Sequence, residues 1–145
     1  MNESETKVLD RDDLLAACAS PSVERRHVPR LGGVVLISEL DSRLAALVDA
    51  ETHESEPAAD GRRGLRKDGL FNARWLAATL RRPDGTRMFT VRDSLEERRG
   101  RKPLFDAEEL DRLAGLPTGI SESLVKVALA LNGLGEDAVE VEAKN

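Results

Sequence analysis

The chain has 145 residues; 40% are hydrophobic but only 3% aromatic, 34% are charged, and the net charge is −5. That length fits one domain with a real core, and with so few aromatics the core falls to Leu, Val and Ala, a palette better suited to helices than to a β-sandwich. An acidic chain is a poor default binder of nucleic acid or anionic membranes, and the single cysteine, Cys18, forbids an intramolecular disulfide.

No basic segment leads into an apolar run at the start, so no signal peptide is expected. The apolar stretch at 124–131 is too short to span a bilayer. Together with the lone cysteine, this points to the cytoplasm.

Residues 1–9 are polar and read as a flexible N-terminus, with a single domain over 10–145. The stretch 9–21 predicts a short helix: Asp10 serves as N-cap, Asp13 closes a capping box, and Pro21 stops it. Over 23–40, Gly32-Gly33 separates two β-prone runs and predicts a hairpin turn. Pro29 has no amide to donate, which makes the first strand an edge or places a bulge there. Residues 41–51 predict a helix capped by Asp41 or Ser42, with Leu44, Leu47 and Val48 as its stripe.

Residues 52–69 lose this periodicity and read as a mobile charged loop. Residues 70–85 predict a helix with two apolar rows, one through Phe71, Trp75 and Ala78 and the other through Leu76 and Leu80. Trp75 is expected in the core. The run 87–91 reads as a short strand or hydrophobic tether. Residues 92–103 form a second mobile charged loop, irregular or carrying a short helix that fails at Gly100.

The stretch 105–117 predicts a helix with Asp106 as cap and Glu109 closing a capping box. The last main helix starts at Thr118 or Ser121 and stops at Asn132-Gly133. Ile120, Leu124, Val127, Ala128 and Leu131 mark one face, Val125 and Leu129 a second. A helix apolar on two faces is either central to the core or meets a partner. Beyond it, Ala138, Val139 and Val141 stand among acids and read as a short terminal helix. Val125, Leu129, Leu131, Val139 and Val141 are therefore the candidate partner contacts. The fold class is α+β, mainly α-helical: an N-terminal helix, one small β-hairpin, then a bundle of about four further helices.

Chemistry finds little to work with. His27 and His53 have no His or Cys at ligand spacing, so no metal or cofactor is expected. Nothing near Cys18 in sequence lowers its pKa, and it reads as a buried helix cysteine. The glycines at 30–35 and 61–69 miss the phosphate-loop pattern and are explained by turns. No serine sits in a nucleophile elbow, and the carboxylates are too evenly spread to pair, so an enzyme is not expected. Two basic clusters remain, Arg62, Arg63, Arg66 and Lys67, and Arg98, Arg99, Arg101 and Lys102. They support an alternative, a small regulatory nucleic-acid-binding protein, but no aromatics interleave with them for base stacking.

Three segments, taken in order, resemble the tail assembly chaperones of long-tailed phages and prophages. They are VERRHVPRLGGVVLISELDSRLAAL, FNARWLAATLRRPDGTRMF, and LFDAEELDRLAGLP followed by LALNGLGEDAVEVEAKN. The first resembles the family's hairpin-then-helix, the second its middle helix with an Asp-Gly turn, the third its capped helix, closing helix and acidic tail. Leu31 stands where the family often has Trp, and 90–103 reads as an insertion. The resemblance implies no catalysis. It implies an adaptor that binds the tape measure protein, recruits tail tube protein subunits and leaves before the mature tail forms; self-association would add a further partner.

Overall fold

A computed structural model describes residues 6–134. These form a mixed α+β fold with six α-helices and one three-stranded antiparallel sheet, as the sequence predicts in outline. The order is α1 (Arg11–Cys18), β1 (Val23–Val28), β2 (Gly33–Ser38), α2 (Ser42–Thr52), α3 (Phe71–Thr79), β3 (Leu80–Arg81), α4 (Leu95–Arg99), α5 (Ala107–Leu113) and α6 (Thr118–Leu131). The candidates Val139 and Val141, and the short terminal helix expected there, lie outside the described residues.

Three of the expected caps are built as read. The Asp10 side chain accepts from the Asp13 amide, and the Asp13 side chain from the Asp10 amide, which completes the capping box of α1. Asp41 caps α2 by accepting from the Leu44 amide at 2.7 Å. Asp106 caps α5 through the Glu109 amide at 3.1 Å. The capping box of α5 is not completed, however. The Glu109 carboxylate instead accepts from the Thr90 amide at 2.8 Å, tying α5 to the segment after β3.

The hairpin turn is wider than Gly32-Gly33 alone. Residues Pro29–Leu31 make one 3-10 turn, Gly32 takes the left-handed conformation (φ 72), and Gly33 already pairs in β2. Proline opens that turn because its fixed φ suits the first helical position. β1 is an edge of the sheet, in the order β1-β2-β3. The third strand is new to the structure. Leu80 and Arg81, read from sequence as the end of a helix, pair with Ile37 and Leu36. The helical rows stop at Thr79 because β2 offers the backbone another ladder.

The core centres on α3, where every residue from Ala73 to Thr79 is buried, including Trp75. α2, α5 and α6 all pack on it, and α6 also lies against β1 and β2. Asn72 Nδ2 donates to Ser121 Oγ across the α3–α6 seam at 3.3 Å. One sheet face meets this core through Val28, Val35, Ile37 and Leu80. The two charged loops have internal order. Residues 52–66 fold back on themselves: Arg66 N donates to Thr52 O, and Glu54 N to Gly64 O. The 92–103 segment carries α4 and is closed at its base, where Arg92 N donates to Leu104 O at 2.7 Å and Val91 bridges Phe105. Of the two readings of 87–91, the strand is reduced to such single bridges, Arg81 with Arg87 and Val91 with Phe105, while Met88 and Phe89 pack against the core as a tether would.

Candidate partner-binding surfaces

The last helix carries three of the candidate partner contacts, Val125, Leu129 and Leu131. With 3.6 residues per turn, Ile120, Ser121, Leu124, Val125 and Ala128 fall on one continuous face, and all five are buried. Val125 is only 4% exposed. It is a core residue, and its assignment as a partner contact is corrected here. The two apparent faces merge because α6 is wedged between α3 on one side and the sheet on the other. Val127 and Leu129 lie on opposite flanks of that buried face and are half-buried, as is Leu131. Of the candidates on α6, Leu129 and Leu131 retain partial exposure.

Leu129 has a further duty at the helix end. Gly133 adopts φ 75, its amide donates to Ala130 O at 3.2 Å, and the Leu134 amide donates to Leu129 O at 2.7 Å. These two bonds define a Schellman stop, and Leu129 and Leu134, joined by the second, both pack against the core. Asn132 adds a staple: its Oδ1 accepts from the Leu40 amide, and its Nδ2 donates to Ala128 O, both at 2.8 Å. The polar pair after the greasy run is therefore structural. It ends the helix and fixes its tip to the entry of α2.

Exposed apolar surface lies elsewhere. α1 buries none of its residues, and Leu14 and Leu15 are 59% and 51% exposed. Cys18, read from sequence as buried, is exposed on the same helix, its Sγ 3.6 Å from Leu14 O. The helix lies where its cap and Pro21 predict, and Cys18 is the residue on it whose expected burial is overturned. The eight-residue helix ends before Leu14 or Leu15 can repeat at i+7, and only the small Ala17 and Cys18 follow on the face of Leu14.

Of the two basic clusters, the first has one member, Arg66, drawn into an ion-pair network around Asp68. Arg74, whose side chain is 4% exposed, forms a two-pronged pair with Asp68 at 3.1 and 2.6 Å. Arg66 joins the same carboxylate at 3.2 Å and reaches Glu51 at 3.8 Å. The Arg74 hydrogen bond chiefly, outweighing partial burial, holds the Asp68 carboxyl down at about 2. Arg87, just before the second loop, donates two hydrogen bonds of 2.9 Å to Asp93 within it, which lowers the Asp93 pKa. Arg92 reaches the Pro103 and Phe105 carbonyls and Asp106. These arginines fasten loops to the body.

Among the described residues, no group of three or more His, Cys, Asp or Glu could hold a metal ion. His27 is exposed on β1, while His53 ends α2 with Nδ1 2.7 Å from Asp49 O. A cleft of about 170 Å³ between the turn after β1 and the start of α6, lined by His27, Arg30 and Ser123 among others, falls below the size of ordinary cofactor pockets. No described helix is long and apolar enough to cross a membrane. No family model, no curated protein and no solved structure matches the chain.

Proposed function

We propose that this chain is a tail assembly chaperone of the long-tailed phage type. In this reading it works in the host bacterial cytoplasm, without catalysis, by binding the tape measure protein and recruiting tail tube subunits. Three segments carry the resemblance in the family's order: hairpin and helix, middle helix with its Asp-Gly turn, then capped helix and closing helix. The observation that carries most weight is α1, which leaves Leu14 and Leu15 in solvent.

A tape measure protein is a long amphipathic chain that aggregates when bare, so its chaperone needs apolar surface to spare. Covering 100 Å² of such surface is worth roughly 2.5 kcal/mol before association costs. A short helix carrying two exposed leucines supplies anchors for helix-to-helix packing. The charged loops keep the free protein soluble. The competing nucleic-acid reading is weakened because Arg66 is already paired with Asp68 and Glu51.

Co-expression with a tape measure protein of a long-tailed phage, taken from the same genome, tests the reading. The expected result is a co-purifying complex and a larger soluble fraction of the tape measure protein. No complex and unchanged insolubility would end it.

A further inference from the structure

β1 is an edge strand, and the ladder shows which of its backbone groups point outward. The Glu39 amide donates to Ser22 O at 2.8 Å, one pair beyond Val23–Ser38. Hydrogen-bonded and non-bonded pairs alternate in an antiparallel ladder. Glu24, Arg26 and Val28 therefore bond β2, while Val23, Arg25 and His27 turn their amides and carbonyls away from it. All three of these residues are exposed. An open edge of this kind templates pairing with a further strand, and folded chains generally cover or blunt it.

The last described residue, Leu134, lies at the start of this edge. Asn132 Oδ1 accepts from the Leu40 amide at 2.8 Å, and the neighbouring Glu39 is bonded to Ser22, the residue before β1. At its other end α6 shares a cleft with Val28 and Pro29 through Gly119 and Ser123. α6 thus runs back along β1, and the chain beyond Leu134 departs from where β1 begins. Val127 and Leu131 continue the Ser123 row in four-residue steps toward that point, and both are half-buried. Charge on the edge is one-sided. Among the described residues Arg25 and Arg26 form no ion pair, and Glu24 is the one acid of β1. Segment 135–145 is the opposite: Glu136, Asp137, Glu140 and Glu142 stand against the single Lys144. Within it, Val139-Glu140-Val141-Glu142 alternates with the period of a strand.

We propose that residues 138–142 of the same chain close the β1 edge as a fourth strand, parallel to β1. Reach allows it: the segment beyond Leu134 spans about 36 Å when extended, against about 20 Å for β1. Glu140 and Glu142 would share the face of Arg25, and Val139 and Val141 would turn toward Val127 and Leu131 on α6. The short terminal helix expected there would be marginal alone at such a length, whereas the edge offers a ladder already in place. Two arguments select this occupant over a second copy. The segment is tethered, which gives it an effective concentration on the order of millimolar. The β1 edge of a second copy would set Arg25 and Arg26 against like charges. The proposal is independent of the chaperone reading, which rests on α1.

Amide hydrogen exchange of the full chain, followed residue by residue by NMR, is the test. In the parent, the outward amides of Val23, Arg25 and His27 should exchange at least about tenfold slower than in Val141→Pro, which removes a strand donor from the segment. The inward amides of Glu24, Arg26 and Val28 should be equally protected in both proteins, which shows the hairpin intact. Where proline disturbs those inward amides, Glu140→Lys/Glu142→Lys serves instead. It leaves β1 untouched and should speed the same three outward amides several-fold, more so at low salt. Outward amides that exchange freely in the parent, or protection that neither variant reduces, would overturn the proposal. So would a loss of protection that never separates outward from inward amides. Outward protection that rises with protein concentration would also overturn it, by giving the edge to a second copy.

Discussion

Arg74 donates two hydrogen bonds to Asp68 at the edge of the core, and the two partners are unequally buried. Removing one member of a buried pair leaves the other charge without compensation, which is worse than replacing it with an apolar group of similar volume. Asp68→Ala, which strands the buried Arg74 guanidinium, should therefore cost about 3 kcal/mol in urea unfolding. Arg74→Met should cost clearly less. The same pair sets a pH dependence. The Asp68 pKa is depressed in the folded chain from 3.8 to about 2, so its stabilisation is complete above the unfolded value and is lost as pH falls through the folded one. Between about pH 4 and pH 2 the parent should lose about 1–2 kcal/mol that Asp68→Asn never had, after allowing for the partial exposure of Asp68. Equal pH profiles for the two proteins would contradict this. None of it was visible in sequence, where Asp68 and Arg74 stand in a loop and a helix with nothing to mark them as partners.

At the scale of elements, local grammar was the most legible part of the chain. Asp10, Asp41 and Asp106 all cap as their positions imply, because a side chain three residues from an orphan amide meets it in any context. Glu109 and Leu80 were misread for the opposite reason: each found a partner remote in sequence, Thr90 and Ile37. The stop at Gly133 was read correctly, and its φ of 75 gives a prediction: Gly133→Ala should cost about 1 kcal/mol by placing a β-carbon in the left-handed region. Helix α6 itself shows where periodicity runs out. Two apolar faces are equally the mark of a partner and of a helix wedged between two layers, and the structure is the second case for Val125. Val125→Asp should therefore abolish cooperative unfolding by burying a lone charge, whereas Leu129→Asp, on the half-buried flank, should leave a folded chain with a lower midpoint. A Val125→Asp protein that melted like the parent would return that residue to the surface.

For the whole molecule, a core of leucine, valine and alanine around one tryptophan leaves its helices with little aromatic area to share, and α2, α3, α5 and α6 supply most of that core. The two leucines of α1 stand outside that core, next to each other on a helix with no buried residue; in the proposed function they are partner contacts. The fold class was legible because helix periodicity and a Gly-Gly turn are local signals. The candidate surface was not, because exposure depends on which faces the rest of the chain covers.

The most direct measurement is co-purification of the tape measure protein with the parent chain and with a Leu14→Glu/Leu15→Glu double variant, alongside the thermal melt of each. Both leucines are exposed, so the melts should coincide, with stability changed by no more than about 0.5 kcal/mol. The account predicts that the parent captures and solubilises the tape measure protein and that the variant loses it. Failure of the parent to capture it, or undiminished capture by the folded variant, would contradict the account.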